Sequence, residues 1–383
     1  MFQSTESMSD SSMSRMSFQI GAHHTIGDGA VFIIAEAGSN HNGDFDEARR
    51  LIDIAAAAKV DAVKFQLFRA DRLYPPNVGD VETPAGKIDF FAFLERAAMP
   101  AEWLTGLREH AEAAGLVFLV SAFDEAMADV LKEHEIAAHK VASPELNHVP
   151  LIRTMARHGV PLLVSTGMGT LADMETALRV AAAEGCNDVA FFHCVSCYPT
   201  EPADCHLRVI PTLKQAFQVP VGWSDHTTHP IAAPRLAAAL GANLIEKHYT
   251  RDRSQDGPDH PFAIEPGELI EMVSEVHAIS EDEQLRAKVL AADESAPYLG
   301  SPVKRVHSAA EAEMAACDRR SLMVIRDIAA GERINDDNVR VLRAERNLTP
   351  GLEPIFWDAT SGRKVVRDVP AGRGLVWDDL LAT

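Results

Sequence analysis

Long apolar runs are missing. No stretch of the 383 residues approaches the roughly 20 apolar residues of a membrane span. A basic surplus is missing too: 36 Lys and Arg stand against 56 Asp and Glu, a formal charge of −20. That balance excludes general nucleic-acid binding, which relies on basic surface. Small anionic substrates stay open, because they need only a local cluster of positive groups. Cysteine is scarce and odd in number, at Cys186, Cys194, Cys197, Cys205 and Cys317. A chain of this size needs no disulfide staples. Its first 17 residues hold seven Ser and four Met but no apolar core of a secretory signal. The expectation is a cytoplasmic protein with reduced thiols and a disordered tail over 1–17. With 46% hydrophobic and 24% charged residues, the rest has ordinary globular composition.

From 31 to about 283, short apolar runs alternate with longer amphipathic ones. Eight runs read as strands: 31–36, 62–66, 117–121, 139–142, 162–165, 189–194, 219–224 and 244–248. Their unbroken apolar character suits parallel strands covered on both faces. Helical patterns lie between them, as at 46–58, 173–183 and 266–279, the last entered through Pro266. Eight repeats over about 250 residues predict a (β/α)₈ TIM barrel over 18–283. A doubly wound open sheet is the alternative, but it needs no eighth strand, and no Gly-rich dinucleotide loop follows the first strand. The connection 69–99 is long enough to be a lid or substrate loop. Residues 284–316 read as a linker, and 317–383 as a small β-rich unit. Within that unit Arg326-Asp327-Ile328-Ala329-Ala330-Gly331 recurs as Arg367-Asp368-Val369-Pro370-Ala371-Gly372. The echo predicts a strand, a glycine turn and a helix start, used twice.

A barrel carries its active site at the C-terminal strand ends, and here all eight are polar. In chain order they offer Glu36; Lys64 and Gln66; Ser121; Lys140 with Ser143 and Glu145; Ser165; His193, Ser196 and Tyr198; Ser224 and His226; and Glu246 with His248. Lysines ending buried strands are costly to desolvate unless they meet an anion. Lys64 and Lys140, with neighbouring serines and the amides near Gly167, suit a phosphate plus a carboxylate. Two buried Lys–Glu pairs or a Schiff-base lysine are the other readings. His226 and His248, on adjacent strands with Glu36 nearby, suit a divalent metal of the Mn²⁺ type. Cys194 and Cys197 straddle a strand end without a second such pair, so a zinc site is not expected. Gly222-Trp223-Ser224-Asp225-His226 lacks the Gly-x-Ser-x-Gly elbow of a hydrolase.

These segments resemble one family. Ala35-Glu36-Ala37-Gly38-Ser39-Asn40-His41-Asn42-Gly43, Val63-Lys64-Phe65-Gln66, Lys140-Val141-Ala142-Ser143, Ser165-Thr166-Gly167-Met168, Ser224-Asp225-His226-Thr227, Glu246-Lys247-His248 and Gly257-Pro258-Asp259-His260 are similar, in order and spacing, to the sialic acid synthases. Arg319-Arg320-Ser321-Leu322 resembles the start of that family's antifreeze-like (SAF) domain. The resemblance implies condensation of phosphoenolpyruvate with an N-acetylmannosamine-type amino sugar, Mn²⁺ or Mg²⁺ as cofactor, and a domain-swapped homodimer. By motif, Glu36, Lys64 and Lys140 would be catalytic. Lys64, Ser121, Lys140, Ser143, Ser165, Ser196 and Ser224 would hold phosphoenolpyruvate, and His226 and His248 the metal. Gln66, Glu145, Tyr198 and Asp259 would meet the sugar, joined by Arg343 from the partner chain. The chain departs from the family's pattern at Pro144, Ser196 and Ala122, and in Leu342-Arg343-Ala344-Glu345. Those departures touch the acceptor sugar more than the reaction; a 2,4-diacetamido-trideoxy sugar and spore-coat polysaccharide synthesis are the related alternatives.

Overall fold

The computed structural model describes residues 16–28, 30–83 and 86–381. The expected tail therefore lies outside the described residues, apart from 16 and 17. Eight parallel strands close into a barrel in chain order: β1 (Phe32–Gly38), β2 (Ala62–Leu67), β3 (Val117–Ala122), β4 (His139–Val141), β5 (Leu162–Ser165), β6 (Val189–Cys194), β7 (Val221–Asp225) and β8 (Leu244–His248). Each is followed by a helix: α1 (Phe45–Ala57), α2 (Leu104–Ala113), α3 (Glu125–Glu133), α4 (Val149–Ala156), α5 (Leu171–Ala183), α6 (Val209–Phe217), α7 (Ala232–Ala239) and α8 (Pro266–Glu281). The eight predicted strands sit within two residues of these bounds.

Local chemistry fixes the helix starts. Asp44 caps α1 by accepting from Asp46 N and Glu47 N. Thr170 and Asp173 form a reciprocal capping box on α5. Period-two alternation then sorts the strands. One face, including Ile33, Ala35, Val63, Phe65, Val120 and Val164, packs with the surrounding helices in the main core. The other faces the barrel interior. Its lower layer is apolar: Phe32, Ile34, Ala62, Leu119, Leu163, Phe192 and Leu244, plugged by Phe18, Ile20 and Ile26 from a hairpin that precedes β1. Two residues further up, the same inward face carries Glu36, Lys64, Ser121, Ser165, Cys194 and Glu246. The polar layer is thus stacked directly on an apolar one.

The long 69–99 connection is not structureless. It holds a hairpin, Asp80–Thr83 with Gly86–Asp89, and then a helix, Phe90–Ala97. Residues 284–316 are largely helical and end in a linker helix, Ala309–Asp318. Among the described residues, no helix is long and apolar enough to cross a membrane.

The C-terminal unit pairs β9 (Ser321–Val324) antiparallel with β10 (Val339–Leu342) around Leu322, Val324, Ile328, Ile334, Val339, Val369 and Leu375. The sequence echo folds back on itself. Ile328 bridges Val369, Asp327 accepts from Ala371 N, and Asp368 accepts from Ala330 N, both at 2.8 Å. The expected helix start appears only in the second copy, at Trp377–Asp379. There Asp379, fully buried, takes hydrogen bonds from Arg367, Arg373 and Val376 N. In the first copy Asn335 and Asn338 bond one another's backbone instead and make a turn.

Candidate active site

Register brings the rim residues together. Glu36 lies beside Lys64 on one side and His248 on the other. Ser121 lies beside both Gln66 and Lys140, and Ser224 beside Glu246. The result is an inner cavity of about 50 Å³ at the top of the barrel. It is lined by Glu36, Lys64, Ser121, Lys140, Ser143, Ser165, Ser224, Glu246 and both histidines, among others.

Four charges meet there, two of each sign, all buried. Lys64 Nζ is 2.8 Å from Glu36 and 3.7 Å from Glu246, and donates to Ser121 Oγ at 3.1 Å. Lys140 Nζ is 3.7 Å from Glu246 and donates to Ser165 Oγ at 2.7 Å. Gln66 donates to the other oxygen of Glu36 at 2.8 Å, and Ser224 donates to Glu246 at 3.1 Å. Burial drives the Glu36 carboxyl pKa up against the pull of Lys64. Burial would lower Lys64, but Glu246 and Glu36 outweigh it and hold Lys64 protonated. Lys140 goes the other way: burial lowers it, with Lys64 opposing the help from Glu246. Of the readings open for the lysines, the Lys–Glu pairing is present. The carboxylates neutralise the lysines within a cleft ringed by serine hydroxyls.

The two histidines fit a metal. His226 Nδ1 is 2.9 Å from Val195 O. A carbonyl only accepts, so Nδ1 carries the hydrogen, and in the neutral ring Nε2 keeps its lone pair, the arrangement of a metal-binding imidazole. His248 Nδ1 lies 3.6 Å from Asp259 and has no hydrogen-bond partner though enclosed. The ring centroids are 5.5 Å apart. Tyr198, exposed, packs against His226 with ring centroids 4.2 Å apart and the planes tilted by 37°.

A second cavity, about 260 Å³, opens outward and shares Gln66, Phe123, Ala142, Tyr198 and His248 with the first. Ser39 and Asp259 add polar groups to it. Gly38 is required where the two meet. Its φ is +52°, and a Cβ there would stand 2.5 Å from Asp259 Oδ2.

Two expected residues sit elsewhere. Glu145 lines neither cavity. It is fully enclosed, held by Arg320 at 2.9 Å and by Arg343 at 2.7 Å, because a buried carboxylate needs cationic partners. Ser196 lines the outer cavity rather than the inner one, since its backbone is held toward the linker helix. Arg343, expected at the sugar, lines the outer cavity, which it reaches from the C-terminal unit of the same chain. The linker helix accounts for this. Glu311 accepts from Met168 N and Ser196 N, both at 3.0 Å, and Arg319 pairs with Asp173 at 2.9 Å, so the C-terminal unit is strapped over the barrel it follows.

Sequence reasoning noted Glu246 at the rim but gave it no role, although its register beside Ser224 places it between both lysines. It missed Glu311 altogether, because nothing in a helical Ala- and Glu-rich stretch marks one glutamate as inward. All five cysteines are free and buried. Among the described residues, the one group spaced for a metal besides the histidines is Cys317, Asp318 and Glu345. Its carboxylates are already engaged, by Tyr74 and Arg346.

Comparison with known proteins agrees with this geometry. Residues 51–286 match the NeuB family and residues 319–381 the SAF domain. The chain is 43% identical to the spore coat polysaccharide biosynthesis protein SpsE of Bacillus subtilis, over 95% of this chain and 97% of that protein. It is 32% identical to the N,N'-diacetyllegionaminic acid synthase of Legionella pneumophila, over 92% and 95% of the two chains. The crystal structure of the Bacillus subtilis SpsE superposes with a TM-score of 0.85 at 41% identity, covering 96% of this chain and 99% of that one. The chain belongs to the NeuB family of nonulosonic acid synthases, a TIM barrel with a C-terminal SAF domain.

Proposed function

We propose that the chain condenses phosphoenolpyruvate with an N-acetylmannosamine-type amino sugar and water, releasing phosphate and a nine-carbon 2-keto acid. The observation that carries this reading is the pair of joined cavities. The inner one offers two lysines and a ring of serine hydroxyls, suited to a phosphate and a carboxylate. The outer one is the size of a small sugar site and begins at the histidines.

Lys64 and Lys140 would hold the anionic groups of phosphoenolpyruvate, with Ser121, Ser143, Ser165 and Ser224 as neutral donors. The π electrons of the enol form the bond from carbon 3 to the aldehyde carbon of the acceptor, whose oxygen takes a proton from solvent, and carbon 2 is left cationic. Water then adds at carbon 2 and passes its proton to Glu36, which burial makes the better proton acceptor of the two glutamates. Collapse to the ketone breaks the bond between carbon 2 and the bridging oxygen, and the hydroxyl proton goes to the phosphate as it leaves. His226 and His248 would hold Mn²⁺ or Mg²⁺, which when bound supplies Lewis-acid polarisation of the aldehyde oxygen. Gln66, Tyr198 and Asp259 would orient the sugar. A homodimer is the oligomeric expectation, and light scattering checks it.

The test is phosphate release from phosphoenolpyruvate and Mn²⁺ with N-acetylmannosamine or a 2,4-diacetamido-2,4,6-trideoxy sugar, with EDTA controls. Release that needs both acceptor and metal is the expected result. Tight binding of neither phosphoenolpyruvate nor metal would leave an inactive scaffold.

A further inference from the structure

The chemistry described so far gives no task to one fully buried ion pair. Asp225 is the last residue of β7, and Lys247 the last but one of β8. Both face outward. Trp223 and Ile245, two residues before them, pack in the main core, while Ser224, Glu246 and His248 line the inner cavity. Among the described residues they are the one carboxylate and the one ammonium on the outward faces of the eight barrel strands. Both side chains are 0% exposed. Apolar side chains of similar volume often serve stability as well as such a pair or better, and the outward Leu67 and Val141 do so on their strands. Stability alone therefore gives no reason for a charge pair here.

Its place on the strands does. The ladder between β7 and β8 pairs Trp223 with Ile245, Ser224 with Glu246 and, as its last rung, Asp225 with Lys247. His226 and His248 are the next residue on each strand, just past that rung. Side chains take over where the ladder ends. Lys247 Nζ donates to Asp225 Oδ2 at 2.7 Å, to Thr227 Oγ1 at 3.4 Å and to Thr227 O. An ammonium has three hydrogens, and all three are used. Asp225 in turn accepts from Thr227 N at 2.9 Å through Oδ1 and from the Thr227 hydroxyl at 3.2 Å through Oδ2. Lys247, joined to His248 in the chain, thus grips the residue on each side of His226.

We infer that Lys247 is a positioning residue, which clamps Asp225 and Thr227 from behind the barrel wall and so sets the spacing of the His226 and His248 rings, whose centroids are 5.5 Å apart. The inference rests on the reading of these histidines as the metal pair and adds what holds them in register. Without the clamp both imidazoles remain, but the turn that carries His226 is free to shift against β8. Partners behind metal ligands govern metal affinity by about 10–100-fold.

Titration calorimetry with Mn²⁺ alone compares the unaltered protein, His226→Ala, and the double variant Asp225→Asn with Lys247→Met. The double change keeps an acceptor for Thr227 N, cuts the tie to β8 and strands no charge. It is expected to weaken Mn²⁺ binding by about 10–100-fold and to shift the visible absorption of bound Co²⁺. Its affinity for phosphoenolpyruvate, measured in EDTA, should stay unchanged. Thr227→Val takes away one acceptor of the ammonium, leaves the ion pair intact and should weaken Mn²⁺ binding by a smaller factor; it decides the question if the double variant does not fold. Folded variants that bind Mn²⁺ like the unaltered protein overturn the inference and leave the metal reading standing. An equal loss of affinity for Mn²⁺ and phosphoenolpyruvate also overturns it, since that marks general loosening of the barrel. Mn²⁺ binding that survives His226→Ala, or none by the unaltered protein, overturns the metal reading and the inference together.

Discussion

Arg343 Nη2 stands 2.7 Å from Glu145 Oε1, and this pair ties the C-terminal unit to the loop after β4. Arg320 completes the tie. Fully buried, it donates to Glu145, to Arg72 O at 2.7 Å and to Phe123 O at 2.9 Å. A carboxylate between two buried guanidiniums is hard to replace. Glu145→Gln leaves both cations undercompensated, at a cost of about 3–5 kcal/mol. The melting temperature should fall by roughly 6–20 °C at about 2–4 °C per kcal/mol. An unchanged melting curve would show that the junction does not depend on this charge. The triple change Glu145→Leu, Arg320→Met and Arg343→Met should recover part of the loss, because removing all three partners strands no charge.

Glu36 makes two hydrogen-bonding or ionic contacts at 2.8 Å, with Gln66 and Lys64. Glu36→Gln keeps the shape and removes the proton-accepting charge. Turnover should drop by about 10²–10⁴-fold. Phosphoenolpyruvate affinity, read by calorimetry, should hold or improve, since Lys64 loses a competitor for its charge. Normal phosphate release by this variant would take Glu36 out of the chemistry.

Much of this site was legible before the fold was known, for a simple reason. In a parallel barrel the residues that end the strands share one rim, and inward residues alternate. Glu36, Lys64, Lys140, Ser165, Ser224, His226 and His248 are therefore neighbours by arithmetic alone. What arithmetic does not supply is anything set by packing between units. Glu145 lies in the turn just past its strand, but a SAF arginine on either side claims it. Glu311 lies in a helix whose polarity gives no hint of direction. The long connection offered a loop length but not the inward face of Phe93 and Leu94.

The hydrogen bond from His226 Nδ1 to Val195 O fixes the tautomer that leaves Nε2 free. His226→Ala should therefore lower Mn²⁺ affinity, measured directly by titration calorimetry, and abolish metal-dependent turnover. Undiminished metal binding would place the ion elsewhere.

Glu311 accepts from two buried amides, those of Met168 and Ser196, and Met314 on the same helix lines the outer cavity. Glu311→Ala orphans both donors, each at about 1–3 kcal/mol. The KM for the sugar should rise more than the KM for phosphoenolpyruvate, because the helix walls only the outer cavity. Glu311→Gln keeps a carbonyl acceptor and should restore most of the difference. Equal KM changes for both substrates would reduce Glu311 to a general stabiliser.

Two of the buried histidines illustrate how stability responds to acid. Burial lowers the pKa of His41 to about 4, and burial with the neighbouring His158 lowers that of His139 to about 3. His41 Nδ1 accepts from Gly43 N while Nε2 is enclosed without a partner. His139 Nε2 lies 2.9 Å from His158 Nδ1, whose other nitrogen meets Asp129 at 3.0 Å. In the unfolded chain both histidines would take a proton near pH 6.5. Between that value and the folded pKa values the unfolded state binds more protons, so stability falls as pH falls. Lowering the pH from 7 to 5 should cost about 2 kcal/mol per histidine, at about 1.4 kcal/mol per pH unit below 6.5. Urea midpoints at the two pH values measure this. His139→Asn should shrink the drop between them by about 2 kcal/mol, whatever it does to stability at pH 7. A drop of the same size in the variant would mean that His139 titrates normally in the folded protein.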